Sequence, residues 1–109
     1  MSGEFAGTLR ERVTIERPVS VRNEMGLQGP GWDLVCNCLA SVTLESVGAE
    51  SEGQVLSSMP RYRVTIRNRD GVALDQRISW KDRKLMIRQL LNDPLARDRL
   101  ALRCEEVRG

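Results

Sequence analysis

Hydrophobic and polar positions alternate with a period of two over much of the chain, which predicts strands with one buried face rather than helices. The clearest run is Arg61 to Arg69. Tyr62, Val64 and Ile66 share one face there, and Arg61, Arg63, Thr65, Arg67 and Arg69 share the other. Asp70-Gly71 is a pair suited to a tight turn, and the chain resumes extended at Arg77 with Ile78 and Trp80 on one side of Ser79. A second strand is therefore expected to pair beside the first. Upstream, Leu9, Val13 and Ile15 share a parity across Leu9 to Glu16, while Glu11 on that parity moves the start of the strand proper to near Arg12. Pro18 is expected to end ladder pairing. Residues 18 to 31, with Asn23, Gly26, Gly29, Pro30 and Gly31, read as a long loop.

The longest alternating stretch is Trp32 to Glu45, where Trp32, Leu34, Cys36, Cys38, Ala40, Val42 and Leu44 fall on one parity. Val35 and Leu39 interrupt the polar face, so part of it is expected to be covered. A strand of this length bends across two sheets or around a small barrel. Further on, Lys81-Asp82-Arg83 reads as a polar turn, Lys84 to Leu91 as a strand, and Asn92-Asp93-Pro94 as a break. Arg99 to Val107 is a last strand, with Leu100, Leu102 and Cys104 on its inner parity. Ser46 to Pro60 carries Gly48, Gly53 and scattered apolar residues with weak periodicity, and reads as a long flexible loop. The expected fold is all-β: a small single-domain antiparallel β-barrel or sandwich of about six strands spanning residues 1–109, with residues 1–7 a loose N-terminal arm.

Composition sharpens this. With 109 residues, 40% hydrophobic and 29% charged, the chain has material for one modest core, built mostly from Val, Leu and Ile because Phe5, Trp32, Tyr62 and Trp80 are its only aromatics. The net charge of +2 is too small to mark the whole protein as a nucleic-acid binder. Its distribution is uneven, with basic residues concentrated from Arg61 to Arg88 and only acids from Glu45 to Glu52. No run approaches the eighteen apolar residues of a membrane span, and no membrane role is expected.

Candidate chemistry is sparse. The chain has no histidine, which removes the usual general base and most zinc and iron sites. Three cysteines fit a reducing compartment better than a disulfide framework. Cys36 and Cys38, two apart on one strand face, sit about 6.5 to 7 Å apart, awkward for a bridge, and a thiolate metal site lacks its second pair. Cys104 reads as buried filler. Asp75 and Asp82 read as turn residues rather than a carboxylate pair, and Trp32 and Trp80 as core or interface anchors. No cofactor is expected.

The order of these landmarks resembles a known family, the head-closure or head-tail joining proteins of tailed bacteriophages, also called stoppers. The matching residues are Ala6-Gly7-x-Leu9-Arg10-x-Arg12-Val13-Thr14-Ile15, Gly31-Trp32, Ala40-Ser41-Val42, Arg63-Val64-Thr65-Ile66-Arg67 with Asp70-Gly71, Arg77-Ile78, Ile87, and Leu102-x-Cys104-Glu105-Glu106. The resemblance implies a β-barrel that forms a homo-oligomeric ring in the virion neck, assembled from the host cytoplasm. A portal or adaptor ring lies above it, the tail or tail-terminator protein below, and packaged double-stranded DNA in its channel. It also implies a loop projecting into that channel. Ser46 to Pro60 occupies the place of that loop, with Ser46, Gly48, Glu50, Glu52, Gly53, Gln54 and Ser57 as its proposed channel residues.

Three readings of the arginine face formed by Arg61, Arg63, Arg67 and Arg69 stay open: a solvated surface, a contact with acidic residues of ring neighbours, or a lining for a DNA channel. A second function class is a small β-barrel nucleic-acid-binding module that uses residues 61–69 as its footprint. Aromatic poverty and near-neutral charge weigh against it.

Overall fold

A computed structural model describes residues 7–46 and 59–107, the side chain of Ser46 excepted. Residues 1–6 of the expected N-terminal arm lie outside the described residues. Six strands follow in order: β1 (Glu11–Arg22), β2 (Gln28–Ser46), β3 (Arg61–Arg67), β4 (Arg77–Trp80), β5 (Arg83–Leu91) and β6 (Arg99–Val107). All neighbouring strands are antiparallel, and the sheet closes on itself in the order β1-β2-β3-β6-β5-β4. Closure removes the open edges that a flat six-stranded sheet would present.

The alternation selects the core. Val13, Ile15, Cys36, Ala40, Tyr62, Val64, Ile66, Ile78, Leu85, Ile87, Leu100, Leu102 and Cys104 point inward and are buried. Tyr62 and Trp80 meet edge to face, ring centroids 5.4 Å apart at 67°. Glu11 occupies the inward parity because its Oε1 accepts the Trp80 indole N–H at 2.9 Å, which satisfies a donor that would otherwise lose its hydrogen bond.

Four expectations are corrected. Residues 18 to 31 are not a long loop: β1 and β2 continue as a paired ribbon, with Pro18 opposite Trp32 and Arg22 opposite Gln28, joined by a short turn. Asn23 organises that turn. Its Oδ1 accepts the N–H groups of Met25 and Leu27 at 2.9 and 3.0 Å, its carbonyl accepts Gly26 N–H, and Gly26 takes a φ of 81°. Pro18 does not end the ladder, because β4 pairs with β1 only from Val13 to Glu16. Beyond Glu16 every second N–H of β1 faces an unpaired edge, where a proline forfeits no ladder bond. Gly31 has a steric reason: a Cβ there would fall 2.4 Å from Val21 Cγ2.

The single parity of the long strand is also corrected. A bulge pairs Ile15 with Cys36 but Glu16 with Leu34, so Val35 is the extra residue. Val35 turns to pack against the core, and Leu34 turns outward. Leu44, expected inward, is exposed as well. The bend itself agrees with expectation, since β2 leaves β1 at Ala40 and joins β3 from Ser41.

Finally, β3 ends at Arg67, leaving Arg69 in the connection, and β4 does not pair with it. The two lie on opposite sides of the barrel, and residues 68–76 cross its end. Gly71, at φ 95°, makes the turn as expected. Val72 packs on the core, and buried Gln76 donates Nε2 to the Gly71 carbonyl at 2.8 Å. This crossing caps the barrel, so the Asp-Gly turn serves closure rather than a hairpin.

Antiparallel order gives the barrel two unlike rims. One collects the starts of β1, β3 and β5 and the ends of β2, β4 and β6, and from it the connection between Ser46 and Met59 departs. The other carries the β1–β2 hairpin, the crossing 68–76 and the turn 92–98.

Candidate functional site

The basic face is assembled by strands that are not neighbours in sequence. The inward parity of Tyr62, Val64 and Ile66 forces Arg61, Arg63 and Arg67 outward on β3, and that of Leu100, Leu102 and Cys104 does the same for Arg99 and Arg103 on β6. The β3–β6 register sets Arg63 opposite Arg103, Arg67 opposite Arg99 and Arg61 opposite Glu105. Sequence reasoning found the β3 half and missed Arg99, Arg103 and Arg88. Their polar parity was legible, but the pairing of β3 with β6 was not.

Much of this charge is balanced within the chain. Glu45, at the end of β2, lies 3.4 Å from Arg63 Nε and 3.5 Å from Arg103 Nε. Arg63 Nε is shielded from solvent and has this ion-pair contact but no hydrogen bond. Arg88, the extra residue of a bulge in β5, lies 3.4 Å from Glu105 and 3.7 Å from Asp75. Glu45, Arg61, Arg88, Arg103 and Glu105 line an open groove of about 880 Å³. Asp98 accepts a hydrogen bond from Arg99 Nε at 3.2 Å, which holds its carboxyl below the usual range. Arg61, Arg67 and Arg69 have no carboxylate within ion-pair distance among the described residues. Thus the four expected interface arginines are not equivalent: Arg63 is engaged in its own chain and the other three are exposed.

A second polar group lies where β1 meets β4. Arg77 donates Nε and Nη2 to Glu16 Oε1 at 3.0 and 2.9 Å, and its guanidinium stacks over Trp32, 4.1 Å from the ring centroid. Trp32 is thereby an anchor outside the core, and Trp80 an anchor against it.

The remaining chemistry is quiet. Cys36, Cys38 and Cys104 are free. Burial, then the nearby Cys36, pushes the Cys38 thiol up to about 11, and burial, then Glu45, pushes Cys104 up to about 12, so both are protonated and unreactive near neutral pH. Asp75 and Asp82 sit in turns at opposite ends of β4, too far apart in the fold to act as a pair. Among the described residues no group of three or more Cys, Asp or Glu is placed to hold a metal ion, and no helix is long and apolar enough to cross a membrane. Of the expected channel residues, Ser46 is the last of β2. Gly48, Glu50, Glu52, Gly53, Gln54 and Ser57 lie outside the described residues.

Comparison with known proteins gives this barrel its context. A protein of Shigella flexneri 2a, known from a solution structure, is 30% identical, with a TM-score of 0.67 over 92% of this chain and 94% of its own. A chain from the virion of a native gene transfer agent particle shares the fold at 20% identity, with a TM-score of 0.66 over 93% of this chain and 97% of its own. No curated protein matches. Residues 6–107, almost the whole chain and every strand of the barrel, match the phage head completion proteins, and the chain belongs to that family.

Proposed function

We propose that the chain is a subunit of a homo-oligomeric ring in the phage neck that closes the DNA-filled head, retains the packaged double-stranded DNA and presents the surface to which the tail attaches. The family gives it a structural role in the phage particle. The observation that carries the reading further is the contrast between the two rims. A head-closure ring must meet one partner above and a different one below, the portal or adaptor ring and the tail or tail-terminator protein. In this barrel residues 47–60 join strand ends at one rim, and the β1–β2 hairpin extends from the other.

In this reading Ser46 to Pro60 is the channel loop. Glu50 and Glu52 repel DNA phosphate rather than bind it, so the loop blocks the channel without holding the DNA. A nucleic-acid-binding module built on Arg61 to Arg69 is the weaker reading. Of its four arginines Arg63 is paired with Glu45, and the three that remain, Arg61, Arg67 and Arg69, can release few counterions from a phosphate backbone.

The deciding experiment is nuclease sensitivity of DNA-filled, tailless heads that lack this protein, before and after the purified chain is added. Protection on addition is expected. Heads that stay sensitive and do not bind the protein would overturn the neck reading, and salt-steep DNA binding by the isolated chain would revive the module.

A further inference from the structure

We infer that the β1–β2 hairpin is an arm by which one copy grips the next, seating its apolar tip in a cleft beside Leu39 of the neighbouring copy. The inference rests on the ring reading above and adds the contact that would hold the ring together.

The arm is an unpartnered element. Beyond Glu16, β1 pairs with β2 alone, so the ribbon from Arg17 to its turn projects about 20 Å from the barrel at about 3.3 Å per residue. Among the described residues, residues 18–31 have no ion pair, and the ring contact nearest to them is that of Arg77 with Trp32 at the root. The tip is apolar where turns are ordinarily polar: Met25 is 83% exposed, Leu27 63% and Val21 50%. Val19 and Val21 lie over the bare backbone of Gly31, which makes one side of the arm a smooth apolar ridge. Pro18 and Pro30 remove an N–H from each strand, so the ribbon is suited to side-chain docking rather than to adding a strand along its edges. Glu16, Arg77 and Trp32 brace its root.

The complementary surface is on the barrel wall where β2 changes partner. Leu9, Cys38 and Leu39 line a cleft of about 200 Å³ with Arg67 and Arg69 beside it. Leu39 is 44% exposed, and neither arginine has a carboxylate partner among the described residues. Glu24, exposed in the turn beside Met25, is likewise free of an ion pair there. Met25 and Leu27 at the tip, with Glu24 between Arg22 and them, therefore offer apolar surface and one acid to an apolar cleft edged by two bases, while Arg22 stays at the base of the turn. The tip cannot reach the cleft of its own chain, since the 12 residues of β1 separate it from the β1 start beside the cleft by about 40 Å. The occupant is a second copy, and a contact of one patch with a different patch is the kind that generates rings.

The test uses full-length chains carrying Cys38→Ala, so that no native thiol lines the cleft. One set adds Glu24→Cys and the other Arg67→Cys, and melting curves first establish that both fold like the parent. Under mild oxidation an equimolar mixture is expected to give a disulfide-linked dimer well above either variant alone. Adding Met25→Asp and Leu27→Asp to the Glu24→Cys chain should abolish it. No excess cross-linking in the mixture, or cross-linking that survives the tip substitutions, overturns the arm contact. Cross-linking failure alongside protection of head DNA leaves the neck reading standing, whereas cross-linking without protection leaves the contact and removes the neck reading.

Discussion

Arg63 and Arg103 stand directly opposite each other across the β3–β6 ladder with a single carboxylate, Glu45, between them, 3.4 Å from one Nε and 3.5 Å from the other. Like charges at facing cross-strand positions repel, and Glu45 offsets that repulsion. Glu45→Gln should lower stability by about 0.5 to 1 kcal/mol, a modest amount because all three side chains are partly exposed. In thermal unfolding that is a drop of a few degrees. The drop should shrink in about 1 M salt, where screening acts over about 3 Å. An unchanged midpoint at low salt would mean that solvent, not Glu45, separates the two arginines.

The same geometry splits the arginine face into two experiments. Arg63→Glu sets a second carboxylate beside Glu45 and should lower the melting temperature of the isolated chain. Arg67→Glu meets no carboxylate among the described residues and should change stability by less than about 0.5 kcal/mol, yet weaken assembly of the ring. Sedimentation of the two variants, with and without filled heads, separates the effects. Unimpaired assembly of Arg67→Glu would assign that part of the face to solvent.

Arg77 should couple strongly to Glu16. Their contact is bidentate onto one oxygen, with side chains only 20% and 23% exposed, and the guanidinium also stacks on Trp32. A double-mutant cycle with Arg77→Met and Glu16→Gln should give a coupling energy of about 1 kcal/mol or more, above that of an ordinary surface pair. A value near zero would mean that the bulge between Ile15 and Glu16, not the ion pair, sets the direction of the hairpin.

The strands were legible where one parity was strictly apolar. Tyr62, Val64 and Ile66 on β3 and Leu100, Leu102 and Cys104 on β6 read inward and are buried. The errors share a physical cause: local signals do not report distant partners. Pro18, Gly29 and Pro30 carry loop chemistry, but a ribbon with free edges tolerates them. Asp70-Gly71 carries hairpin chemistry, but β3 finds its second neighbour in β6, 32 residues on from Arg67 to Arg99. The bulge at Val35 left no mark beyond a single valine on the polar parity. For the site, the arginines of β3 were readable and Glu45 was noticed only as a local acid. That one carboxylate serves two strands follows from the barrel's closure order.

Shortening the connection by removing Gly48 to Ser58 should leave the barrel folded, because the entropy of loop closure changes slowly with length and Ser46 and Arg61 already pair across the β2–β3 ladder. Filled heads carrying the shortened protein should still bind it but lose DNA, read as nuclease-sensitive genomes. Failure of the shortened chain to fold would make the segment part of the core. Full retention of DNA would remove it from the channel.

Alkaline pH should destabilise the barrel through the buried thiol of Cys104 and the partly buried thiol of Cys38. The ordinary thiol value is 9.0, and burial raises Cys104 to about 12 and Cys38 to about 11. The folded chain therefore keeps protons that the unfolded chain has already released, so the stabilisation is complete below about pH 9 and falls as the pH climbs through the folded-state values. For Cys104, which is almost wholly buried, the slope approaches about 1.4 kcal/mol per pH unit. Urea unfolding at pH 8, 9, 10 and 10.5 should show this decline, and it should be shallower in Cys104→Ala, even though that variant starts from a lower stability at pH 8. The same shift leaves Cys38 about 100-fold poorer in thiolate than an ordinary cysteine at pH 8, so iodoacetamide should label it slowly in the folded chain and rapidly in urea. An identical pH slope in Cys104→Ala, or rapid labelling of folded Cys38, would show that these thiols ionise without opening the barrel.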